Sequence, residues 1–193
     1  RAVERKFGAD IRSGDCFANN SAYHGNTHCG DFTLCVPIFV DGQLVFWAIA
    51  RAHLGDMGFP TPTTYSPLSR DLYEEGLMLP CVRIQRDFTD LADVLDICKA
   101  NIRAPDQFHG DYLATLSAVR TGERAVQSLC GSYGLETVRA FLEQFQAYAE
   151  EMAVAAIRRL PGGRVSGEQR HDSETPLYPD GIPVRATLEV DPD

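Results

Sequence analysis

The chain has no apolar run approaching the ~20 residues that cross a bilayer, so no membrane span is expected. It has no excess of basic residues. Against 27 Asp+Glu stand 18 Lys+Arg, a formal net charge of −9, and the isoelectric point is near 5.0. Nucleic acid and anionic lipid both call for a cationic face, so neither is an expected partner. None of the six cysteines (Cys16, Cys29, Cys35, Cys81, Cys98 and Cys130) forms a C-x-x-C pair. They read as reduced, mostly buried thiols of a cytoplasmic protein. There is no Walker A loop and no G-x-G-x-x-G, so any ATP in the reaction is held by another chain or another part of this one. A signal peptide and a solenoid repeat are also missing.

What is present suits a globular fold. The 193 residues are 44% hydrophobic and 23% charged, enough to bury a core. The chain opens at Arg1 in mid-pattern and stops just after a strand-like run, Val184 to Val190. The expectation is therefore a single internal portion, 1–193, of a longer polypeptide, with α+β architecture. Residues 1–90 form a β-rich region, 91–161 a helical layer and 162–193 the start of a further β region.

The clearest element is a hairpin over 33–50. Two apolar runs, Thr33 to Val40 and Gln43 to Ala50, flank Asp41-Gly42, a pair that tolerates the positive φ of a tight turn. Continuous hydrophobicity suggests strands covered on both faces, and Pro37 favours a position without a ladder bond. Residues 56–90 read as a long connection, with Phe59 to Pro67 neither helix nor central strand. A short strand is expected within Leu77 to Ile84. Helices are expected over Leu91 to Asn101 and Asp111 to Tyr133, the latter with Leu113, Leu116, Val119, Val126 and Leu129 on one stripe and Gly134 closing it. A third helix carries Val138 to Ile157 and stops at Pro161-Gly162-Gly163.

Two tetrads could carry chemistry. His28-Cys29-Gly30-Asp31 precedes the first hairpin strand and His53-Leu54-Gly55-Asp56 follows the second. With a two-residue turn at 41–42, Gly30 faces His53 and Asp31 faces Ala52, so both tetrads meet at the open end of the ribbon. Two imidazoles and one or two carboxylates there suit a divalent cation such as Zn, Mn or Fe. Alternation puts His28 and His53 on one face and Asp31 on the other. Asp31 joins them only if the backbone bends, so broken pairing is expected at 29–31, where Gly30 permits it. The competing reading makes the aspartates turn or cap residues and the histidines hydrogen-bonded core residues.

The other candidates are bland. His24 lies in a loop, Asp111 caps a helix and Arg103 forms a surface ion pair. Glu74-Glu75 is a solvated helix end, and Cys29 beside His28 lacks an acyl-transfer motif.

Taken together, Gly14-Asp15-Cys16-Phe17-Ala18-Asn19-Asn20, Gly25-Asn26-Thr27-His28-Cys29-Gly30-Asp31, Pro37-Ile38-Phe39-Val40-Asp41-Gly42, Arg51-Ala52-His53-Leu54-Gly55-Asp56, Glu75-Gly76-Leu77-Met78-Leu79-Pro80 and Asn101-Ile102-Arg103-Ala104-Pro105 resemble the hydantoinase B family. That family includes the B-type half of 5-oxoprolinase and the large subunit of acetone and acetophenone carboxylases. The resemblance implies His28, Asp31 and His53 as metal ligands, with Asp56 a fourth ligand or the base that moves the proton. It implies a hydantoinase A-type ATP-binding subunit, or fused half, that phosphorylates a small-molecule substrate. The first expected activity is ATP-coupled opening of a cyclic amide. The second is carboxylation on the same scaffold, and the third is a non-catalytic scaffold role with structural tetrads.

Overall fold

The computed structural model describes residues 1–66, 68–172 and 178–191; Pro67 of the proline-rich connection and the stretch 173–177 lie outside them. The architecture is α+β. Two compact units divide the chain, Arg1–Ser132 and Tyr133–Asp193.

The first unit is built on a five-stranded sheet in the order β3-β2-β1-β4-β5. The strands are β1 (Cys16–Asn19), β2 (Asp31–Val40), β3 (Gln43–His53), β4 (Val82–Arg86) and β5 (Thr89–Asp90). The expected hairpin is present and longer at its open end. Asp41 and Gly42 turn it with φ of 50° and 78°, as the tight turn demands. β1 pairs with β2 only over Thr33 to Cys35, so the missing N–H of Pro37 disrupts nothing on that side.

One face of β2 sends Phe32, Leu34 and Val36 into the main core, and Ala48, Ala50 and Ala52 of β3 pack against the same cluster. The opposite face buries Cys35 with Phe17, Val3 and Cys81 beside Trp47 and α1 (Ala2–Phe7). β2 is therefore covered on both sides, as its unbroken hydrophobicity suggested. β3 is not, since Ile49 on its outer face is 67% exposed.

The ladder departs from simple alternation. Phe39 pairs with Leu44 but Ile38 pairs with Phe46, which leaves Val45 as an extra residue on β3. A bulge of this kind shifts every later pair by one. Asp31 consequently faces His53, and Phe32 faces Ala52, which corrects the expected register. Cys29-Gly30 form a turn, so the break expected at 29–31 is present at 29–30, while Asp31 itself is paired.

α2 (Ala92–Asn101) and α3 (Pro105–Tyr133) complete the unit. α3 starts six residues before the expected Asp111, because proline suits the first helical position, where its missing N–H costs nothing. Asp111 is therefore interior and not a cap. The buried stripe is also rotated. Phe108, Tyr112, Thr115, Val119, Arg120, Glu123 and Cys130 face inward, while Leu113 and Leu129 are about half exposed.

Polar wiring explains the rotation. The Arg120 guanidinium donates to Glu123 Oε2 at 2.8 Å, Gln85 Oε1 at 2.9 Å and the Gly14 carbonyl at 2.8 Å. Gln85 donates to Asp90, which also accepts the Tyr112 hydroxyl at 2.5 Å. A buried charge needs such partners, and Arg120 meets them when it faces inward.

The second unit holds α4 (Leu135–Ile157) and a two-stranded antiparallel ribbon, β6 (Gly163–His171) with β7 (Ile182–Val190). Gly134, at φ 81°, separates α3 from α4. The further β region expected over 162–193 is present, but only its last strand is marked in the sequence; the polar run Gly163 to His171 of β6 has no apolar alternation. Among the described residues no helix is long and apolar enough to cross a membrane.

Candidate metal centre

The hairpin and the loop before it bring His28, Asp31 and His53 together. Their candidate ligand atoms all lie within 4.8 Å of one another. Because of the Val45 bulge, Asp31 and His53 are directly opposed and share a face of the sheet. His53 Nδ1 lies 3.0 Å from Asp31 Oδ1. His28 arrives by a turn, since the Asp31 N–H donates to the His28 carbonyl at 3.1 Å. Its Nε2 sits 3.6 Å from the same Oδ1, and the two imidazole centroids are 4.9 Å apart.

Gly30 makes this turn possible. A Cβ there would come within 2.7 Å of His28 Cε1 and 3.0 Å of the Thr64 carbonyl, so any side chain displaces the ring.

The Asp31 carboxylate is divided in its duties. Oδ1 faces the imidazoles. Oδ2 accepts the Thr27 hydroxyl and lies 3.8 Å from Arg51 Nη1. The Thr27 hydrogen bond, helped by that of His53 and by the Arg51 charge, holds the Asp31 carboxyl below the usual carboxylate range, against the opposing effect of burial. Its backbone is fixed as well, with Asn26 Nδ2 donating to the Asp31 carbonyl and to that of Asn19.

The donor set fits a divalent transition ion. Ligand bonds of about 2.0–2.2 Å place neighbouring donors about 3.0–3.5 Å apart; the two contacts to Asp31 Oδ1, at 3.0 and 3.6 Å, are close to this, and the set as a whole spans no more than 4.8 Å. The Gly30 N–H donates to His28 Nδ1 at 3.3 Å. That contact uses the Nδ1 lone pair, so a cation on Nε2 takes the other tautomer and displaces a weak bond.

Asp56 stands outside this group. Its carboxylate accepts the Gly58 N–H at 2.8 Å and the Arg103 N–H at 2.9 Å, and pairs with the Arg103 guanidinium at 3.3 Å. It therefore ties the end of the hairpin to the segment between α2 and α3. Arg103, expected as an ion-pair partner, is one; it also donates to the carbonyls of Phe59 and Pro60.

Other residues of the neighbourhood were not legible. Asn20, fully buried, donates to the carbonyls of Cys29 and Leu77, each at 2.9 Å, and accepts the Leu79 N–H at 2.6 Å. One amide thus holds both the site loop and the segment after Gly76. Glu75, expected as a solvated helix end, is half-buried and lines a cavity of about 310 Å³ with His28, Phe59, Tyr65 and Ser66. Burial, and then the Glu75 charge, push the Cys29 thiol up. Cys29 is buried and stays a thiol, which makes it a poor nucleophile. All six cysteines are free and buried.

A fold of this order, with two histidines and an aspartate gathered at the mouth of the hairpin, defines a class. The chain belongs to the hydantoinase B/oxoprolinase family, whose model matches residues 1–193.

Among its relatives is the beta chain of the caprolactamase of Pseudomonas jessenii, 34% identical over 167 residues, covering 86% of this chain and 29% of that one. The crystal structure of ATP-dependent caprolactamase from the same organism superposes with a TM-score of 0.88 at 30% identity, over 99% of this chain and 33% of its own. A protein named as the B-type component of a D-/L-hydantoinase, from Pseudomonas sp. (strain NS671), is 34% identical over 186 residues, 94% of this chain and 31% of that one. The acetophenone carboxylase delta subunit of Aromatoleum aromaticum (strain DSM 19018 / LMG 30748 / EbN1) is 29% identical over 159 residues, 82% of this chain and 23% of that one. The chain spans about three-tenths of the length of the first two relatives.

Proposed function

We propose that this chain is the cation-bearing part of an ATP-coupled hydrolase that opens cyclic amides. The observation that carries the reading is the convergence of His28 Nε2 and His53 Nδ1 on one oxygen of Asp31, in a family whose relatives include a caprolactamase component and a protein named as a hydantoinase component.

His28, Asp31 and His53 hold the ion, with Zn, Mn and Fe all compatible with the donor set. Bound there, a divalent ion supplies Lewis-acid polarisation of a carbonyl or phosphoryl oxygen and an acidified water, with a pKa of about 7 in favourable sites. Thr27 and Arg51 keep Asp31 ionised and aimed at the imidazoles. The cavity beside His28 receives the substrate, and Phe59 and Tyr65 shield part of it from water. ATP is bound by an A-type partner or fused half, which delivers a substrate activated by phosphorylation. Phosphate is then the leaving group, so the cation site supplies only part of the barrier reduction. Asp56, committed to Gly58 and Arg103, positions the hairpin end.

Carboxylation is the second reading, favoured by the similarity to the acetophenone carboxylase delta subunit.

The test is metal analysis of the intact purified protein with its ATP-binding partner. About one equivalent of divalent ion is expected in the wild type and little in His28→Ala and His53→Ala, with amide-dependent ATP turnover lost in parallel. Bicarbonate dependence of that turnover selects carboxylation. Full turnover in both variants, with no stoichiometric metal, returns the chain to a scaffold role.

A further inference from the structure

Glu75 is a carboxylate that the fold leaves without a structural role. It is half-buried, it lines the same cavity as His28, and among the described residues its carboxylate accepts no hydrogen bond and pairs with no cation. Its neighbours there are two aromatic rings, Phe59 and Tyr65, and Ser66. A carboxylate partly withdrawn from water, with no donor among the described residues, is free to accept one from a ligand.

Nor is Glu75 loosely placed. Gly76 follows at φ 92°, and a Cβ on it would meet the Met57 carbonyl at 2.4 Å. The Leu77 N–H donates to that same carbonyl at 2.7 Å. Asn20 then joins the Leu77 carbonyl to that of Cys29. Glu75 and His28 therefore stand on segments braced through one buried amide, at two places on the wall of one cavity.

From this arrangement we infer that Glu75 is the specificity-determining residue of the pocket, accepting a hydrogen bond from the ring N–H of a neutral cyclic amide. The inference rests on the hydrolase reading and deepens it. A cyclic amide of small ring size is locked cis, so its C=O and N–H share one edge. It can offer the oxygen to the His28 side and the N–H to Glu75 together. An open-chain secondary amide is trans and turns these groups in opposite directions. The aromatic walls suit a small apolar ring. A ring carboxylate meets a carboxylate at Glu75, and none of the described residues lining the cavity is Lys or Arg.

The experiment is saturation-transfer NMR on the intact protein with ε-caprolactam, N-methyl-ε-caprolactam and the anion 5-oxoproline, in wild type, Glu75→Gln and Glu75→Ala. Thermal melts confirm folding of the variants, since no intramolecular bond to this carboxylate is removed. Expected in the wild type is binding of the lactam, with at least tenfold weakening on N-methylation and weakest binding of 5-oxoproline. Glu75→Ala abolishes the N-methyl discrimination. Glu75→Gln, still an acceptor but uncharged, keeps part of it and admits 5-oxoproline. Equal binding of the two lactams by wild type, retained discrimination in Glu75→Ala, or no lactam binding to wild type overturns the inference. Metal analysis in the same samples reads the hydrolase proposal separately. Glu75-dependent binding without metal sinks that proposal alone, and metal without discrimination sinks this one alone.

Discussion

The Thr27 hydroxyl donates to Oδ2 of Asp31, four residues on, and leaves Oδ1 for the two imidazoles. This is the largest of the influences that lower the Asp31 carboxyl. Thr27→Val is expected to move that carboxyl upward, toward the ordinary carboxylate range, while Arg51→Gln moves it less. An NMR titration of the Asp31 side chain checks both directions.

The same shift fixes a pH dependence. The folded-state carboxyl lies below its unfolded value, so its stabilising contribution is complete above the unfolded carboxylate range. It is lost as pH falls through the lower folded value. Asp31→Asn should therefore melt below wild type at neutral pH, and the gap should shrink as the solution is acidified through and below the carboxylate range. A gap that widens in acid contradicts the assignment. At neutral pH the variant should also bind a divalent ion at least tens of times more weakly by calorimetric titration, since it loses an anionic ligand.

Asn20→Ala removes three hydrogen bonds from a fully buried position. Unsatisfied buried groups cost about 1–3 kcal/mol each before relaxation, so a loss of about 3 kcal/mol in chemical denaturation is expected. Because Cys29 is one anchor, cation affinity should fall too, although residue 20 offers no ligand.

Gly76→Ala places a methyl group against the backbone of Met57 and adds strain at positive φ. A destabilisation of about 2–4 kcal/mol is expected, read as a lower midpoint in urea. Gly25→Ala, also at positive φ but with open space around it, should cost less, which separates the close approach from the dihedral.

Arg120→Ala strands Glu123 and Gln85 in the interior. Breaking such a buried pair costs about 3–5 kcal/mol. Arg120→Met combined with Glu123→Leu should recover much of the loss, because no uncompensated charge is left.

Much of the fold was readable because its signals are local. Asp41-Gly42 between two apolar runs fixed the hairpin, and three- and four-residue spacing fixed the helices. What escaped was set by distant contacts. The rotated stripe of α3 follows from Arg120 reaching Gly14 and Gln85, more than thirty residues away in sequence. β6 is a polar strand laddered to β7, and an unpatterned strand announces nothing. For the site, the tetrads offered four residues by an argument with the wrong register, and the family resemblance singled out the three that are grouped. Glu75 looked solvated because the packing of Gly76 on Met57 joins two loop segments with no periodic pattern.

Val45 lies near the tip of the ribbon, well away from Asp31 and His53, yet it decides which residues confront each other at the mouth. The hairpin behaves as a vernier: a single count gained or lost at one end is read out as a change of partner at the other. Grafting a new turn at residues 41–42 is therefore not a local operation. A replacement that lets Val45 join the ladder would slide Ala52 opposite Asp31 and carry His53 to the other side of the sheet.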